Sequence, residues 1–164
     1  MANKAGAKIS DANGFGALLA NMSDAASEST LRQAGAAGAT VIRNEIVLRA
    51  PVGPFSHLRS GREYPPGTLK KNVLVFHDED KSSVAGRVQV YGVVLGADAF
   101  YGRLVEKGHK LSGAFAKHVE EVEFGNSKVE AHPFFRPSVD AKQSEAVQAM
   151  VDVMKKKLDE AKNG

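Results

Sequence analysis

The stretch Ala131-His132-Pro133-Phe134-Phe135-Arg136-Pro137 constrains this chain most, because it fixes how a long helical pattern is approached. Pro133 locks its own φ and biases His132 toward an extended backbone. Pro137 does the same to Arg136, and a proline suits the first turn of a helix. The segment therefore reads as a stiff, extended lead-in. It delivers Phe134 and Phe135 to a core and Arg136 to an adjacent partner. That is a positioning device rather than a catalytic one.

From Pro137 the spacing predicts a helix to about Ala161. Ala146, Val147, Met150, Val151, Met154 and Leu158 form its apolar stripe, and lysines at 155–157 suit its C-terminal end. A second long helix is predicted over 25–49, capped by Ser23 or Asp24 and carrying Leu31, Ala34, Gly38, Val41, Ile42 and Leu48 at helical intervals. Its middle, 34–39, holds only alanine and glycine, so another backbone can come close. Either the helix packs tightly on its own sheet or it packs on a neighbouring subunit. Ala50, standing before Pro51, ends it.

Residues 51–67 contain four prolines and three glycines, so 53–66 is expected to be a long, irregular and mobile loop. It presents Phe55, Leu58, Arg59, Arg62 and Tyr64 and leans basic. Strands are predicted over 72–77 and 84–95, joined by the acidic turn 78–81, which reads as solvated. In the second strand Val84, Val88, Val90 and Val94 share one face, while Arg87, Gln89 and Tyr91 take the other. A short helix is expected over 100–107 and a third strand over 118–124. Residues 1–23 are expected to be loosely ordered, with a short helical or turn-like piece over 11–22 that puts Phe15, Leu18 and Leu19 on one side. The order predicts a single α+β domain over 1–164. A small antiparallel sheet is packed by a long N-terminal helix and a C-terminal helix.

Composition narrows the function. With no cysteine among 164 residues, thiolate metal sites, disulfides and cysteine nucleophiles are excluded. A net charge of +3 with mixed signs lacks the basic stripe of a dedicated nucleic-acid binder. No apolar run approaches the roughly 20 residues of a membrane span. No signal peptide is visible at the N-terminus, so the expectation is a protein made in the cytoplasm. His57, His77, His109, His118 and His132 show no helical zinc spacing. His118 with Glu120, Glu121 and Glu123 reads as a solvated strand face, because alternate residues point to opposite sides. No nucleophile elbow or phosphate loop is present. No cofactor and no catalytic or metal-binding residue is expected.

Ala50-Pro51-Val52, the stretch 67–73, Tyr101 to Gly108 and His132 to Pro137 together resemble, in that order, motifs of the tail-component family of long-tailed bacteriophages, the tail-completion or neck proteins. Ala50-Pro51-Val52 resembles its Ala-Pro-Val element, and Gly67-Thr68-Leu69-Lys70-Lys71-Asn72-Val73 its Thr-Gly-x-Leu segment. Tyr101, Leu104, Val105, Glu106 and Gly108 resemble its Tyr-x-x-x-Val-Glu-x-Gly element. His132, Pro133, Phe134, Phe135, Arg136 and Pro137 resemble its His-Pro-Phe-Phe-Arg-Pro. The resemblance spans roughly residues 30 to 160. Two departures are visible. Residues 53–66 separate elements the family joins directly, and Lys107 and His109 replace the usual aromatic and threonine.

The resemblance implies a non-enzymatic virion protein, made in the host cytoplasm, that forms a homo-oligomeric ring at the head–tail junction or upper tail. Sixfold symmetry is the expected number. Its implied partners are its own copies and the neighbouring connector, tail-tube or terminator rings. DNA passes through the lumen without sequence-specific binding, and no membrane is involved. Phe55, Arg59, Arg62 and Tyr64 of the loop, with Glu106 and Arg136, are the candidate assembly residues. Glu106 and Arg136 could meet as a carboxylate–guanidinium pair. Two rival readings stay open: a small DNA-binding protein using Arg59, Arg62, Lys70 and Lys71, and a metal-dependent hydrolase using the histidines and acids.

Overall fold

Ser27 starts the long N-terminal helix. Its side chain accepts the Thr30 N–H at 3.4 Å, and Glu28 complements the positive end of the helix dipole. The computed structural model describes residues 27–82, 88–110 and 128–163. Within them α1 spans Glu28–Arg49. The cap falls later than the expected Ser23 or Asp24, which lie outside the described residues, as do 1–22. At the far end Ala50 turns extended before Pro51, and Lys70 donates its ammonium to the Leu48 carbonyl at 3.3 Å.

The segment 53–66 is not simply irregular. It contains an antiparallel hairpin, β1 (His57–Arg59) with β2 (Arg62–Tyr64), in which Leu58 faces Glu63 across the ladder. Ser60 and Gly61 both have positive φ, 50° and 77°, the condition for a tight hairpin turn whose twist matches the strands. The Ser-Gly pair was the available signal, but three residues per strand are too few to show a period of two. After it come α2 (Thr68–Lys71), which the sequence did not reveal, and β3 (Val73–His77).

Strand β4 is Tyr91–Leu95, shorter than the expected 84–95; residues 88–90 carry no strand and 83–87 lie outside the described residues. It pairs antiparallel with β3, Val73 opposite Leu95 and Phe76 opposite Gly92. Of the residues read onto the two faces only Tyr91 and Val94 fall in the strand; Val93 and Leu95 pack on the core while Val94 is 39% exposed. Val88, read onto the same face as Val94, is exposed as well. A 3₁₀ turn (Ala97–Ala99) and α3 (Gly102–Lys107) replace the single helix expected over 100–107. The two-residue strands β5 (His109–Lys110) and β6 (Lys128–Val129) then pair antiparallel. The third strand expected over 118–124 lies outside the described residues. The final helix, α4, spans Phe135–Asn163, so it begins two residues before Pro137.

The architecture is α+β, with α1 and α4 packed together and against the β3–β4 sheet. The core joins Ile46 of α1 and Ala50, which caps it, to Leu69, Val73, Ala99 and Phe134. The small-residue stretch is used inside the chain. A Cβ at Gly38 would fall 2.8 Å from Met150 Cγ and 3.1 Å from the Ala146 carbonyl, and one at Gly35 would fall 2.5 Å from the Tyr91 ring. Ala34, Gly35, Gly38 and Ala39 are all buried, so this face serves α4 and β4 rather than a neighbouring subunit.

The β1–β2 hairpin is held at one end. Arg62 pairs with Asp98 at 2.9 Å, and the Tyr64 ring meets Phe100 edge to face at 5.7 Å between centroids. An isolated two-stranded hairpin is marginal in water. Amides of 57–64 are therefore expected to exchange with solvent faster than those of β3 in native-state exchange. Equal protection in a proven monomer would show that the hairpin is part of the cooperative core.

Candidate assembly interface

The motif residues converge on one short helix. Phe134 occupies the N-cap position of α4, and a phenyl ring cannot accept a hydrogen bond there. Glu106, on α3, supplies the missing acceptor. Its Oε2 accepts the N–H groups of Phe134 and Phe135, both at 2.8 Å, and its Oε1 accepts that of Arg136 at 3.0 Å. Pro137 has no N–H to satisfy, and the Ser138 N–H bonds the Phe134 carbonyl at 3.3 Å as the first bond of the helix. The buried Ser138 hydroxyl donates to the same carbonyl at 2.5 Å. Every donor of the first turn is thus accounted for, and a carboxylate sits at the positive end of the dipole.

Burial pushes the Glu106 carboxyl up, but the three N–H bonds and the nearby Arg136 charge outweigh it and hold it below its ordinary value. Glu106 and Arg136 do meet, yet not as the expected pair of charged side chains. The carboxylate takes the Arg136 backbone, and no ion pair joins the two side chains among the described residues. Both carboxylate oxygens are committed to N–H donors.

Two neighbouring features fix the clamp. The His132 N–H bonds the Val105 carbonyl at 2.9 Å, so the lead-in runs beside α3. Gly108 ends α3 with φ 68° and ψ 167°, a backbone region open only to glycine. Gly108→Ala is therefore expected to cost about 1–3 kcal/mol, read as a lower urea midpoint with an unchanged m-value. An unchanged midpoint would mean the turn relaxes freely.

Beside the clamp lies an open groove of about 680 Å³. Each motif contributes to it: Pro51 after α1, Gly67 and Leu69 at α2, Tyr101, Leu104 and Val105 at α3, and His132 in the lead-in. The hairpin segment adds Phe55 and Leu58, which are 77% and 76% exposed. Among the described residues that line it, His132 and Tyr101 alone have side chains with polar atoms. Burial pushes the Tyr101 hydroxyl above its ordinary pKa, with a hydrogen bond from the Leu69 backbone pulling the other way.

No known protein family, curated protein or solved structure matches this chain.

The expected assembly residues divide. Phe55 lines the groove. Arg62 pairs with Asp98 while keeping an exposed side chain, and its guanidinium also lies 5.4 Å from the Tyr64 ring centroid. Arg59 sits on β1 opposite Arg62. Pro51, Gly108, His132, Pro133, Phe134, Phe135 and Pro137 all fall at the junction of α1, α3 and α4. Of the basic set suggested for DNA, Arg62 is paired with Asp98 and Lys70 is engaged with α1.

Among the described residues no three histidines or acids stand close enough to hold a metal ion. The candidate cluster at His118, Glu120, Glu121 and Glu123 lies outside them. His77 bonds Gln89 at 2.8 Å and Ser82 at 3.0 Å, closing the turn after β3. In that turn the Lys81 hydrogen bonds hold the Asp78 carboxyl below its ordinary pKa, with burial opposing. Asp78 is therefore a turn-forming group rather than simply a solvated one. No described helix is long and apolar enough to cross a membrane.

Proposed function

We propose that this protein is a structural component of a phage particle, forming a ring at the head–tail junction or upper tail. One observation carries the reading: all four motif segments meet at a single exposed apolar groove. Some motif residues, Leu69 and Phe134 among them, hold the core, while Pro51, Leu104 and His132 line a surface that faces outward. A modest apolar contact of this kind gains strength when repeated around a closed ring.

The role is assembly rather than chemistry. Each copy presents the groove in a fixed orientation because Glu106 locks α3 to α4. DNA passes through the lumen without being read. A sixfold ring would match the stacked rings of a tail tube and give each subunit an equivalent contact. The expected result is a monomer in dilute solution and a ring, of six, at high concentration or on the tail. Light scattering across a concentration series, with electron-microscope images of purified tails, reads both. A twofold dimer in both settings, or absence of the protein from purified particles, would refute the proposal.

A further inference from the structure

We propose that the groove receives residues 12–23 of a second copy of this chain, so that copies join head to tail. This rests on the ring reading above and names the contact that would build the ring. The lining is apolar and carries no formal charge. Residues 12–23 likewise contain no charged side chain. Within them Phe15, Leu18, Leu19 and Met22 stand at i, i+3, i+4 and i+7, the spacing by which an amphipathic helix anchors in an apolar groove.

Reach decides that the occupant comes from another copy. The groove lies at the C-terminal end of α1, against Pro51 and Gly53. The preceding segment leaves from Ser27, at the opposite end of a 22-residue helix, about 33 Å away. Met22 and Leu19 stand only five and eight residues before Ser27. Fully extended, those lengths span at most about 18 and 28 Å. The four-residue stripe therefore cannot lie in the groove of its own chain. A neighbouring chain placed head to tail meets no such limit. Because the groove and the stripe are different surfaces, each copy can give one contact and receive one, which closes into a ring.

The test uses the full chain and two variants. Leu18→Glu with Leu19→Glu damages the segment and leaves the groove intact. Phe55→Ser with Leu58→Glu damages the groove at two exposed positions, so the fold should survive; urea midpoints within error of wild type check this. Light scattering should show each variant alone as a monomer where wild type assembles. Mixed one to one, they should form a dimer that grows no further, since only one good groove and one good segment remain. A labelled peptide of residues 9–24 should bind the dilute wild-type chain, and bind at least ~10-fold more weakly with Leu18→Glu. Assembly of the segment variant at wild-type concentrations, or a peptide that does not bind, would overturn the inference. A segment variant that still forms rings in purified particles would reject this contact while leaving the ring reading standing. Segment-dependent dimers from a protein absent from particles would keep the contact and reject the ring.

Discussion

Phe134→Ala is expected to destabilise the protein by about 3–5 kcal/mol. Phe134 is 2% exposed and sits in one cluster with Ile46, Ala50, Leu69, Val73 and Ala99. Truncating it opens a cavity in the cluster that joins α1, α2 and β3, and the rigid clamp around its backbone leaves little freedom for that cavity to collapse. Phe135 is the internal control. It is half-buried at the edge of the same cluster, its ring 6.4 Å from that of Phe134, so Phe135→Ala should cost distinctly less. Urea unfolding of both variants measures the difference. Equal losses, or a midpoint for Phe134→Ala close to wild type, would mean that the lead-in is not anchored in the core.

Glu106→Ala should cost about 2–4 kcal/mol, because it leaves three N–H groups at the start of α4 without their charged acceptor. Glu106→Gln should cost less, since an amide oxygen can still accept from Phe134 and Phe135 while its NH₂ opposes the Arg136 N–H. The sign with pH follows from the depressed pKa. Glu106 is ionised more readily in the folded state than in the unfolded one, where its ordinary value is 4.5. Its stabilising contribution is complete above that value and is lost as pH falls through the lower, folded pKa. The stability gap between wild type and Glu106→Gln should therefore be constant at neutral pH and narrow only below about pH 4.5. A gap that stays fixed into strong acid would show that charge contributes nothing to the clamp.

The helices and their class were legible because apolar stripes at helical spacing survive in sequence. The alanines and glycines of 34–39 announced a close approach, although only coordinates could show that Met150, Ala146 and Tyr91 make it. The lead-in was read as delivering both phenylalanines to the core; Phe134 is buried there, while Phe135 reaches only its edge. Its partner was half legible: Glu106 and Arg136 were linked, but as side chains. A backbone N–H looks the same at every residue, so sequence cannot show that a carboxylate will seek three of them. The hint was local and indirect. Phe134 cannot cap a helix, and Pro137 removes one donor. The extent of β4 was overread, and which of its faces packs inward depends on α1, far away in sequence. The groove was invisible as an object, because its residues come from five separate segments that only the fold brings together.

The clamp also bears on how such a chain can vary. Glu106, the Val105 carbonyl and the β5–β6 pairing secure both feet of the stretch between Lys110 and Lys128. Lys110 and Lys128 are thereby held side by side, so a flexible foreign segment inserted between them adds a closure cost that grows only logarithmically with its length, about 0.6 kcal/mol for each doubling. That makes the β5–β6 stem a place to graft a foreign epitope for display.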